Sequence, residues 1–267
     1  MSVLPRTSSA EDRAEREKTR SWKKAVVYVA GGSNYAIEAE TSRNSVRTQM
    51  PGMECILATD SRDDLGGWDQ VLRMSGRKYP EQWYHDSCRY YNEALARLAD
   101  YDMLVFLDTD TFCAWPFWEL YEVLEHFDIV GTHGIARHTA PTFAHLSDAF
   151  PELCIGMLAV RNNERTRQLL REWLALYDAH PNVYGNNDQG PLREALWNNR
   201  EVRLYVATPE YHCRWGFGAY VAGMVRILHC RNADQAEVAK QINDGLGGMR
   251  LYRPYGLVFR AGYGDIG

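Results

Sequence analysis

The sequence lacks the long apolar segments and the clustered basic residues that mark several large classes of protein. No stretch approaches the roughly eighteen apolar residues that a membrane-spanning helix needs, and the N-terminal residues contain no apolar signal-peptide core. The net charge is −5 and the pI is about 5.9, and the basic residues are scattered along the chain. These features argue against an integral membrane protein and against a nucleic-acid-binding protein, which would neutralise phosphates with clustered cations.

Recognisable cysteine motifs are also absent. The six cysteines, at positions 55, 88, 113, 154, 213 and 230, are widely spaced and form no C-x-x-C pair. This spacing is typical neither of a zinc site nor of a small disulfide-bonded scaffold. Several of the cysteines lie in apolar runs, as buried thiols do. We therefore expect a reducing, cytoplasmic setting, although the even count leaves disulfides open.

The chain divides into a polar beginning and a long patterned remainder. Residues 1–23 are charged and have few apolar side chains to bury, which predicts a flexible tail. Residues 24–267 show alternating strand and helix patterns without an internal repeat or a low-complexity segment. A stretch of this length fits a single α/β domain.

The order of the patterned segments predicts an α/β fold with a central, mostly parallel sheet flanked by helices. Strands are predicted at residues 25–30, 55–58, 103–107, 127–130, 155–160, 202–206 and 225–228, and helices at 35–50, 86–99, 164–178 and 188–197. Ser33 or Asn34 can cap the first helix. Residues 132–151 show no clean period and are predicted to form a long loop. In such sheets, ligands bind beyond the carboxyl ends of the strands.

Residues 101–112 read YDMLVFLDTDTF, an apolar strand that leads directly into two carboxylates. Side chains at positions i and i+2 of an extended chain project to the same face, so Asp108 and Asp110 are expected to point the same way. Two like charges at the end of a buried strand are costly unless a cation lies between them. Carboxylate oxygens suit Mg²⁺ or Mn²⁺, particularly when a diphosphate shares the ion. Lone D-x-D tripeptides are common on solvated loops, so the position after an apolar strand carries this prediction.

A histidine and an arginine follow the last predicted strand, in the segment VRILHCR. His229 could complete the ligand shell of a metal ion, and Arg231, two residues later, could bind phosphate oxygens. The alternative is a structural histidine, and spacing alone does not decide between the two.

Three further polar segments are candidates for ligand binding. The residues NNDQ at 186–189 open a helix; capping accounts for one of these side chains, and the others could bind sugar hydroxyls. The glycines at 31 and 32 would let a ligand approach the backbone, but they lack the G-x-G-x-x-G pattern of a dinucleotide site. Asp60 could accept a hydrogen bond from a base or ribose, or could begin a turn.

Taken in order, these motifs resemble those of the GT-A nucleotide-diphospho-sugar transferases, especially glycosyltransferase family eight and its relatives. The matching segments extend from about residue 25 to about residue 255 and include YVAGGSNYAIEA, the second strand ending in TD, YDMLVFLDTDTF, CIGMLAVRNNERTRQLLREWLALY, NNDQGPLREALW and VRILHCR. The resemblance implies a GT-A (Rossmann-like) fold and a metal-dependent glycosyltransferase with Mn²⁺ or Mg²⁺. The donor would be a nucleotide-diphosphate sugar, UDP-linked in preference to GDP-linked, and the acceptor a glycan, lipid-linked, protein or small-molecule group.

The resemblance also implies roles for particular positions. Asp108, Asp110 and His229 would hold the metal ion. Asp188, or in second place Gln189, would lie beside the anomeric carbon and stabilise its oxocarbenium character. The residues that would contact the donor are Ala30, Gly31, Tyr35, Asp60, Arg89, Asp108 and Arg231.

Two segments depart from the family pattern. Residues 154–156 read CIG where relatives have a small polar residue before the glycine, and residues 230–231 read CR where family eight has a glycine and a later lysine. The second departure argues against membership in family eight itself. The nearest resemblance is to retaining enzymes; an inverting enzyme would need a general base, for which Asp188, Asp148 or Glu152 could serve.

Two other functions compete with this interpretation. Haloacid-dehalogenase-like phosphatases also end a buried strand with D-x-D, but here Phe112 stands where they have Thr or Val, and the motif comes after a hundred residues rather than near the start. A sugar-nucleotide-binding protein without catalytic activity is the other alternative. We expect a cytoplasmic protein; peripheral association with a membrane is compatible with it, because acceptors of this class are often lipid-linked.

Overall fold

The protein is described here from a computed structural model. The structure describes residues 22–134, 145–184, 187–215, 219–229, 231, 234–244, 248–253 and 256–262. Nearly all of the predicted tail at 1–23, and residues 135–144 of the predicted loop at 132–151, lie outside the described residues.

A seven-stranded sheet forms the centre of the fold, in the order β3-β2-β1-β4-β7-β6-β8. Its strands are β1 (Lys24–Ala30), β2 (Glu54–Thr59), β3 (Gln70–Arg73), β4 (Met103–Leu107), β6 (Ile129–His133), β7 (Leu153–Arg161) and β8 (Leu204–Ala207). Strands β3, β2, β1 and β4 are parallel, and β6 is parallel to β8. Strand β7 is antiparallel to both of its neighbours. The predicted mostly parallel sheet is confirmed.

Helices cover both faces of this sheet. One face packs against α2 (Trp83–Arg97), α4 (Glu164–Ala179) and α6 (Gln189–Asn198), and the other against α1 (Ser33–Gln49) and α3 (Glu119–Leu124). Two further helices are α5 (Pro181–Tyr184) and α7 (Gln235–Asn243). Alternate side chains of β1, such as Val27 and Tyr28, enter the two separate cores. Strands that are buried on both faces read as continuous apolar runs, which is why the sequence pattern could find them.

Two smaller sheets complete the described structure. One has the order β5-β11-β9, with β5 (Thr111–Cys113), β9 (Cys213–Arg214) and β11 (Ile227–His229); the other has the order β10-β12-β13, with β10 (Ala219–Val221), β12 (Gly248–Arg253) and β13 (Gly256–Gly262). The antiparallel pairing of β5 with β11 places His229 opposite Thr111. The late strand therefore lies beside the strand that directly follows the D-x-D segment.

The start of helix α1 differs from the prediction. Gly32 occupies the N-cap position with φ of 83°, and no side chain caps the helix there, so the predicted capping by Ser33 or Asn34 is wrong. This value of φ lies in the region that glycine adopts without strain. Asp60 holds the turn from the other side, because its Oδ1 accepts a hydrogen bond from the Gly32 N–H at 2.5 Å.

The remaining boundaries shift by a few residues. The helix predicted at 86–99 begins at Trp83, and the strand predicted at 127–130 lies at Ile129–His133. Among the described residues, the five cysteines at 55, 88, 113, 154 and 213 are buried and form no disulfide. In the part of the chain that the structure describes, no helix is long and apolar enough to cross a membrane.

Candidate active site

The D-x-D segment forms a tight turn between β4 and β5. The Asp108 N–H donates a hydrogen bond to the Gly156 carbonyl of β7 at 3.0 Å, and the Asp108 carbonyl accepts from the N–H of Thr111 at 3.2 Å. The Thr111 hydroxyl also donates to the Asp108 carbonyl, at 2.7 Å. The backbone of this turn is therefore anchored both to the central sheet and to the next strand.

The two carboxylates converge on His229, as the family resemblance implied, but a turn brings them together and not the extended chain that the sequence analysis expected. The Nε2 atom of His229 lies 3.1 Å from Asp110 Oδ1 and 3.8 Å from Asp108 Oδ2. Burial opposes a charge on His229, but the hydrogen bond to Asp110 outweighs it and raises the histidine pKa to about 10. Burial likewise opposes the charge of Asp110, yet His229 and Arg231 together lower its pKa. The imidazole and the carboxylate therefore form an ion pair.

This cluster has the composition of a divalent-cation site. Asp108, Asp110 and His229 each offer a ligand atom, and these atoms all lie within 4.8 Å of one another. Two carboxylates and one imidazole suit Mn²⁺ or Mg²⁺ better than a soft metal. The residues present therefore fit the cation that the sequence analysis predicts.

A guanidinium group lies at the rim of the cluster. The Nε of Arg231 donates to Glu38 Oε1 at 2.9 Å, and its Nη2 donates to Glu38 Oε2 at 3.1 Å. The same Nε lies 3.4 Å from Asp110 Oδ2. Glu38 also accepts a hydrogen bond from the Thr109 hydroxyl. Glu38 of helix α1 thus holds the guanidinium of Arg231 next to the candidate metal site. A guanidinium can bind an anion through two hydrogen bonds at once.

A single cavity joins these groups to the two predicted catalytic residues. It lies beyond the carboxyl ends of β1 and β4, where ligands bind in sheets of this kind. Its lining includes the predicted site residues Tyr35, Asp108, Asp110, Asp188, Gln189, His229 and Arg231. The sequence analysis did not assign a site role to the other lining residues, which are Val29, Trp83, Tyr84, Ser87, Tyr91, Thr109, Cys154, Ile155, Gly156 and Arg214.

Asp188 lies immediately before helix α6 and is only 3% exposed. Its carbonyl accepts a hydrogen bond from the indole N–H of Trp173 at 2.8 Å, and its Oδ2 accepts from the Ser87 hydroxyl at 2.9 Å. Burial raises the pKa of Asp188 to about 8, against the lowering effect of Ser87. Asp188 is therefore mostly protonated at neutral pH and can donate a hydrogen bond into the cavity.

Asn187 caps the start of helix α6 with its side chain. The sequence predicted such a cap from one residue of the segment NNDQ. The Asn187 Oδ1 accepts hydrogen bonds from the N–H groups of Gln189 and Gly190, at 2.9 and 3.2 Å. The Asp188 side chain therefore does not cap the helix, and both Asp188 and Gln189 line the cavity.

Two aromatic rings, one of them close to Arg231, also line the cavity. Tyr35 and Trp83 are nearly parallel, with an interplanar angle of 11° and ring centroids 6.5 Å apart. Trp83 packs against Gly31, where an added Cβ would lie 2.2 Å from the indole ring. The glycine is thus needed for the approach of this ring. Flat aromatic surfaces of this kind stack with nucleobases.

Four residues predicted to contact the donor lie outside the cavity lining. Ala30 is fully buried, and Gly31 is covered by Trp83 as described above. Asp60 binds the Gly32 N–H and forms an ion pair with Arg77 at 3.2 Å. The fourth is Arg89, whose guanidinium forms an ion pair with the buried Asp86 at 2.9 Å.

Two further hydrogen bonds hold Arg89 in place. Its Nη1 donates to the Ser75 hydroxyl at 2.7 Å, and its Nη2 donates to the Gly76 carbonyl at 2.8 Å. Protein groups therefore occupy the guanidinium, and Arg89 does not line the cavity. Among the described residues, neither Asp148 nor Glu152, the alternative general bases, lines the cavity.

Sequence reasoning missed Trp83, His212 and Arg214. Arg214 lies opposite His229 in the β9–β11 pairing, and its Nη1 is 3.6 Å from Cys154 Sγ. Trp83 stands at the first position of a helix whose start was predicted three residues later. No local pattern marks His212 or Arg214, because their positions depend on a pairing between distant strands.

The fold is that of the GT-A glycosyltransferases. The structure matches the crystal structure of a glycosyltransferase involved in the glycosylation of the major capsid of PBCV-1, with a TM-score of 0.51 and 11% sequence identity. The match covers 82% of this chain and 98% of that chain. No protein-family model matches the sequence, and no curated protein matches it. The structural similarity supports the α/β architecture, with its mostly parallel sheet flanked by helices.

Proposed function

We propose that this protein is a metal-dependent glycosyltransferase that moves a sugar from a nucleotide-diphosphate donor to a glycan, lipid-linked, protein or small-molecule acceptor. One observation carries the proposal: Asp108, Asp110 and His229 converge at the carboxyl end of the sheet in a GT-A fold. Membership in the relatives of family eight remains a prediction from the sequence motifs.

The charges around the cavity suit a diphosphate leaving group. A divalent cation held by Asp108, Asp110 and His229 would neutralise the negative charge that develops when the sugar–phosphate bond breaks. Arg231, 3.4 Å from Asp110, would bind phosphate oxygens of the same group. Tyr35 and Trp83, which line the same cavity, would stack on the nucleobase.

Asp188 is the candidate for the group beside the anomeric carbon. In its protonated form it would donate a hydrogen bond to a sugar hydroxyl or to the glycosidic oxygen. In its ionised form it would stabilise the oxocarbenium character of the transition state. Gln189, on the same wall, offers an amide oxygen for the second of these roles. We favour a retaining reaction, in line with the sequence resemblance.

A donor screen tests the proposal. Purified protein would be incubated with UDP-, GDP- and dTDP-sugars, with and without Mn²⁺, together with Asp110→Asn and the exposed control Asp64→Asn. We expect Mn²⁺-dependent release of one nucleotide, which falls by about 100-fold or more in Asp110→Asn because an electrostatic contact to the leaving group is lost. The Asp64→Asn variant should match the wild type.

Other results would favour the alternative functions. Binding of a sugar nucleotide without hydrolysis or transfer would support a non-catalytic binding protein. Cleavage of a generic phosphomonoester with no affinity for sugar nucleotides would contradict the proposal and support a phosphatase.

We also propose that the protein acts in the cytoplasm, where peripheral association with a membrane surface would be compatible with a lipid-linked acceptor. The proposal is supported by the five described cysteines, which form no disulfide, and cell fractionation with redox-state labelling of these cysteines tests it.

A further inference from the structure

The two ring nitrogens of His229 face different groups. Nε2 faces the carboxylates of Asp108 and Asp110, as described above. Nδ1 lies 2.7 Å from Nε2 of His212, a distance that corresponds to a hydrogen bond. His212 follows the short 3-10 helix Pro209–Tyr211 and is 4% exposed. The imidazole of His212 thus lies behind the candidate metal ligand, on the side away from the carboxylates.

The surrounding structure is shaped to bring these two rings together. A Cβ added at Gly156 of β7 would lie 2.4 Å from His212 Nε2 and 2.6 Å from His229 Nδ1. Any other residue at this position would therefore displace one of the rings. The ring planes are inclined by 58°, with centroids 4.8 Å apart, so the nitrogens meet edge to edge and the rings do not stack.

A second metal site is the rival explanation for this cluster. Cys154, His212 and His229 also offer ligand atoms within 4.8 Å of one another. Two imidazole nitrogens bound to one tetrahedral ion, each at about 2.0–2.1 Å, would lie roughly 3.3 Å apart. The observed separation of 2.7 Å is too short for that arrangement, so a hydrogen bond explains the contact better.

The direction of this hydrogen bond follows from the role of His229. A histidine that binds a cation through Nε2 uses the lone pair of that atom, so its proton must be on Nδ1. This Nδ1–H can donate only if the nitrogen facing it is an acceptor. His212 must then carry no proton on Nε2, and its own proton lies on Nδ1.

We propose that His212 is a positioning residue for the metal site: its Nε2 accepts a hydrogen bond from Nδ1–H of His229 and thereby holds the ring orientation and tautomer that present Nε2 to the cation. This inference rests on the metal site of the proposed function. Partners of this kind, behind a metal-bound histidine, typically change metal affinity by about 10- to 100-fold when removed.

Substitutions at position 212 test the inference through Mn²⁺ affinity, measured from the electron paramagnetic resonance signal of free Mn²⁺ without any donor or acceptor. His212→Phe keeps a flat ring but removes the acceptor, and we expect about 10- to 100-fold weaker Mn²⁺ binding. His212→Gln places an amide oxygen near the position of Nε2, and we expect its affinity to return to within about threefold of wild type if acceptance is the function of this residue. His85→Phe is the matched control, because His85 is also a buried histidine (1% exposed) but lies outside the cavity lining.

The outcomes separate this inference from the proposed function. Wild-type affinity in a folded His212→Phe variant would overturn the inference and leave the metal site intact. Equal losses in the Phe and Gln variants, with both proteins folded, would also overturn it, since acceptance would then not be the property that matters. If the wild-type protein does not bind Mn²⁺ at all, the metal site itself fails, and the inference fails with it.

A measurement on the unsubstituted protein covers the case in which His212→Phe does not fold. Nuclear magnetic resonance of ¹⁵N-histidine-labelled, Mg²⁺-loaded protein reports which ring nitrogens carry protons. We expect a proton on Nδ1 of His229 and none on its Nε2, together with an unprotonated Nε2 in His212. A protonated Nε2 in His212 would contradict the proposed hydrogen bond directly.

Discussion

The carboxyl group of Asp188 illustrates how burial alters a single residue. Nothing in the local sequence NNDQ distinguishes it from a solvated capping aspartate, yet it is 3% exposed in the folded chain. Burial raises its pKa to about 8, whereas an unfolded aspartate titrates near 3.9. The folded protein therefore holds a proton at this position over a range in which the unfolded chain does not.

This difference predicts a pH dependence of stability. Between pH of about 4 and 8 the unfolded state binds fewer protons at Asp188 than the folded state, so the free energy of unfolding should fall as the pH rises and should level off above about 8. Asp188→Asn removes this contribution, so its stability should decline less over the same interval. Urea unfolding of both proteins at several pH values provides the measurement. Parallel profiles for the two proteins would show that Asp188 titrates normally.

In Asp128 the pKa is lowered, in contrast to Asp188. Its carboxylate connects the start of β6 to helix α4 and to the start of β8. It is fully buried directly before β6, and its oxygens accept from Arg165 of α4 at 2.8 Å and from the Arg203 N–H, just before β8, at 2.9 Å. Asn163, the N-cap of α4, donates to the same carboxylate at 2.7 Å. Burial opposes the charge, but the hydrogen bonds from Arg165 and Arg203 outweigh it and hold the pKa of Asp128 well below its usual range.

We expect Asp128→Asn to lower the free energy of unfolding by about 1.5–3 kcal/mol at pH 7, the range found for hydrogen bonds to charged groups. Both arginines remain nearly half-exposed, so the loss should be smaller than for a fully enclosed ion pair. The depressed pKa stabilises the fold above about pH 4, and this contribution is lost as the pH falls below that value. Denaturant unfolding at pH 7 and at pH 3 measures the effect, with the exposed Asp100→Asn as control. An equally large loss at both pH values would argue that packing, not charge, is responsible.

At the scale of the whole molecule, the candidate metal site joins segments from distant parts of the chain. Asp108 and Asp110 follow β4 of the central sheet, and His229 ends β11 of a small sheet. A cation bound by all three would cross-link these parts in the folded state only. Ligands that bind only the folded state raise the free energy of unfolding in proportion to the logarithm of their concentration.

Mn²⁺ should therefore raise the thermal midpoint of the protein. At a concentration 100-fold above the dissociation constant, the free energy of unfolding should increase by about 2.7 kcal/mol. Asp110→Asn should show little or no increase, because it removes one charged ligand. Differential scanning calorimetry with and without Mn²⁺ and a chelator measures the shift. A similar shift in wild type and variant would locate the bound cation elsewhere.

The elements that the sequence predicted well share one physical property. Strand β4 and its neighbours are buried on both faces, so their apolar runs are visible without knowledge of the fold. Helices α2 and α4 show their buried faces as periodic apolar residues, such as Leu95 and Trp173. The D-x-D turn was recognisable because it interrupts one of these runs. The prediction failed at the N-terminus of α1, where a backbone conformation of glycine, and not a capping side chain, begins the helix.

The amino-acid sequence by itself determined the α/β class, the alternation of strands and helices, and the residues that bring carboxylates, an imidazole and a guanidinium to the ends of strands. Only the tertiary structure decided which of these groups meet. It brought Trp83, His212 and Arg214 to the site and directed Arg89 to Asp86 instead, because these contacts depend on the pairing of β11 with β5 and β9 and on the packing of α2. Local patterns record burial and periodicity within an element, whereas a site at the junction of several elements depends on contacts between residues that are far apart in the chain.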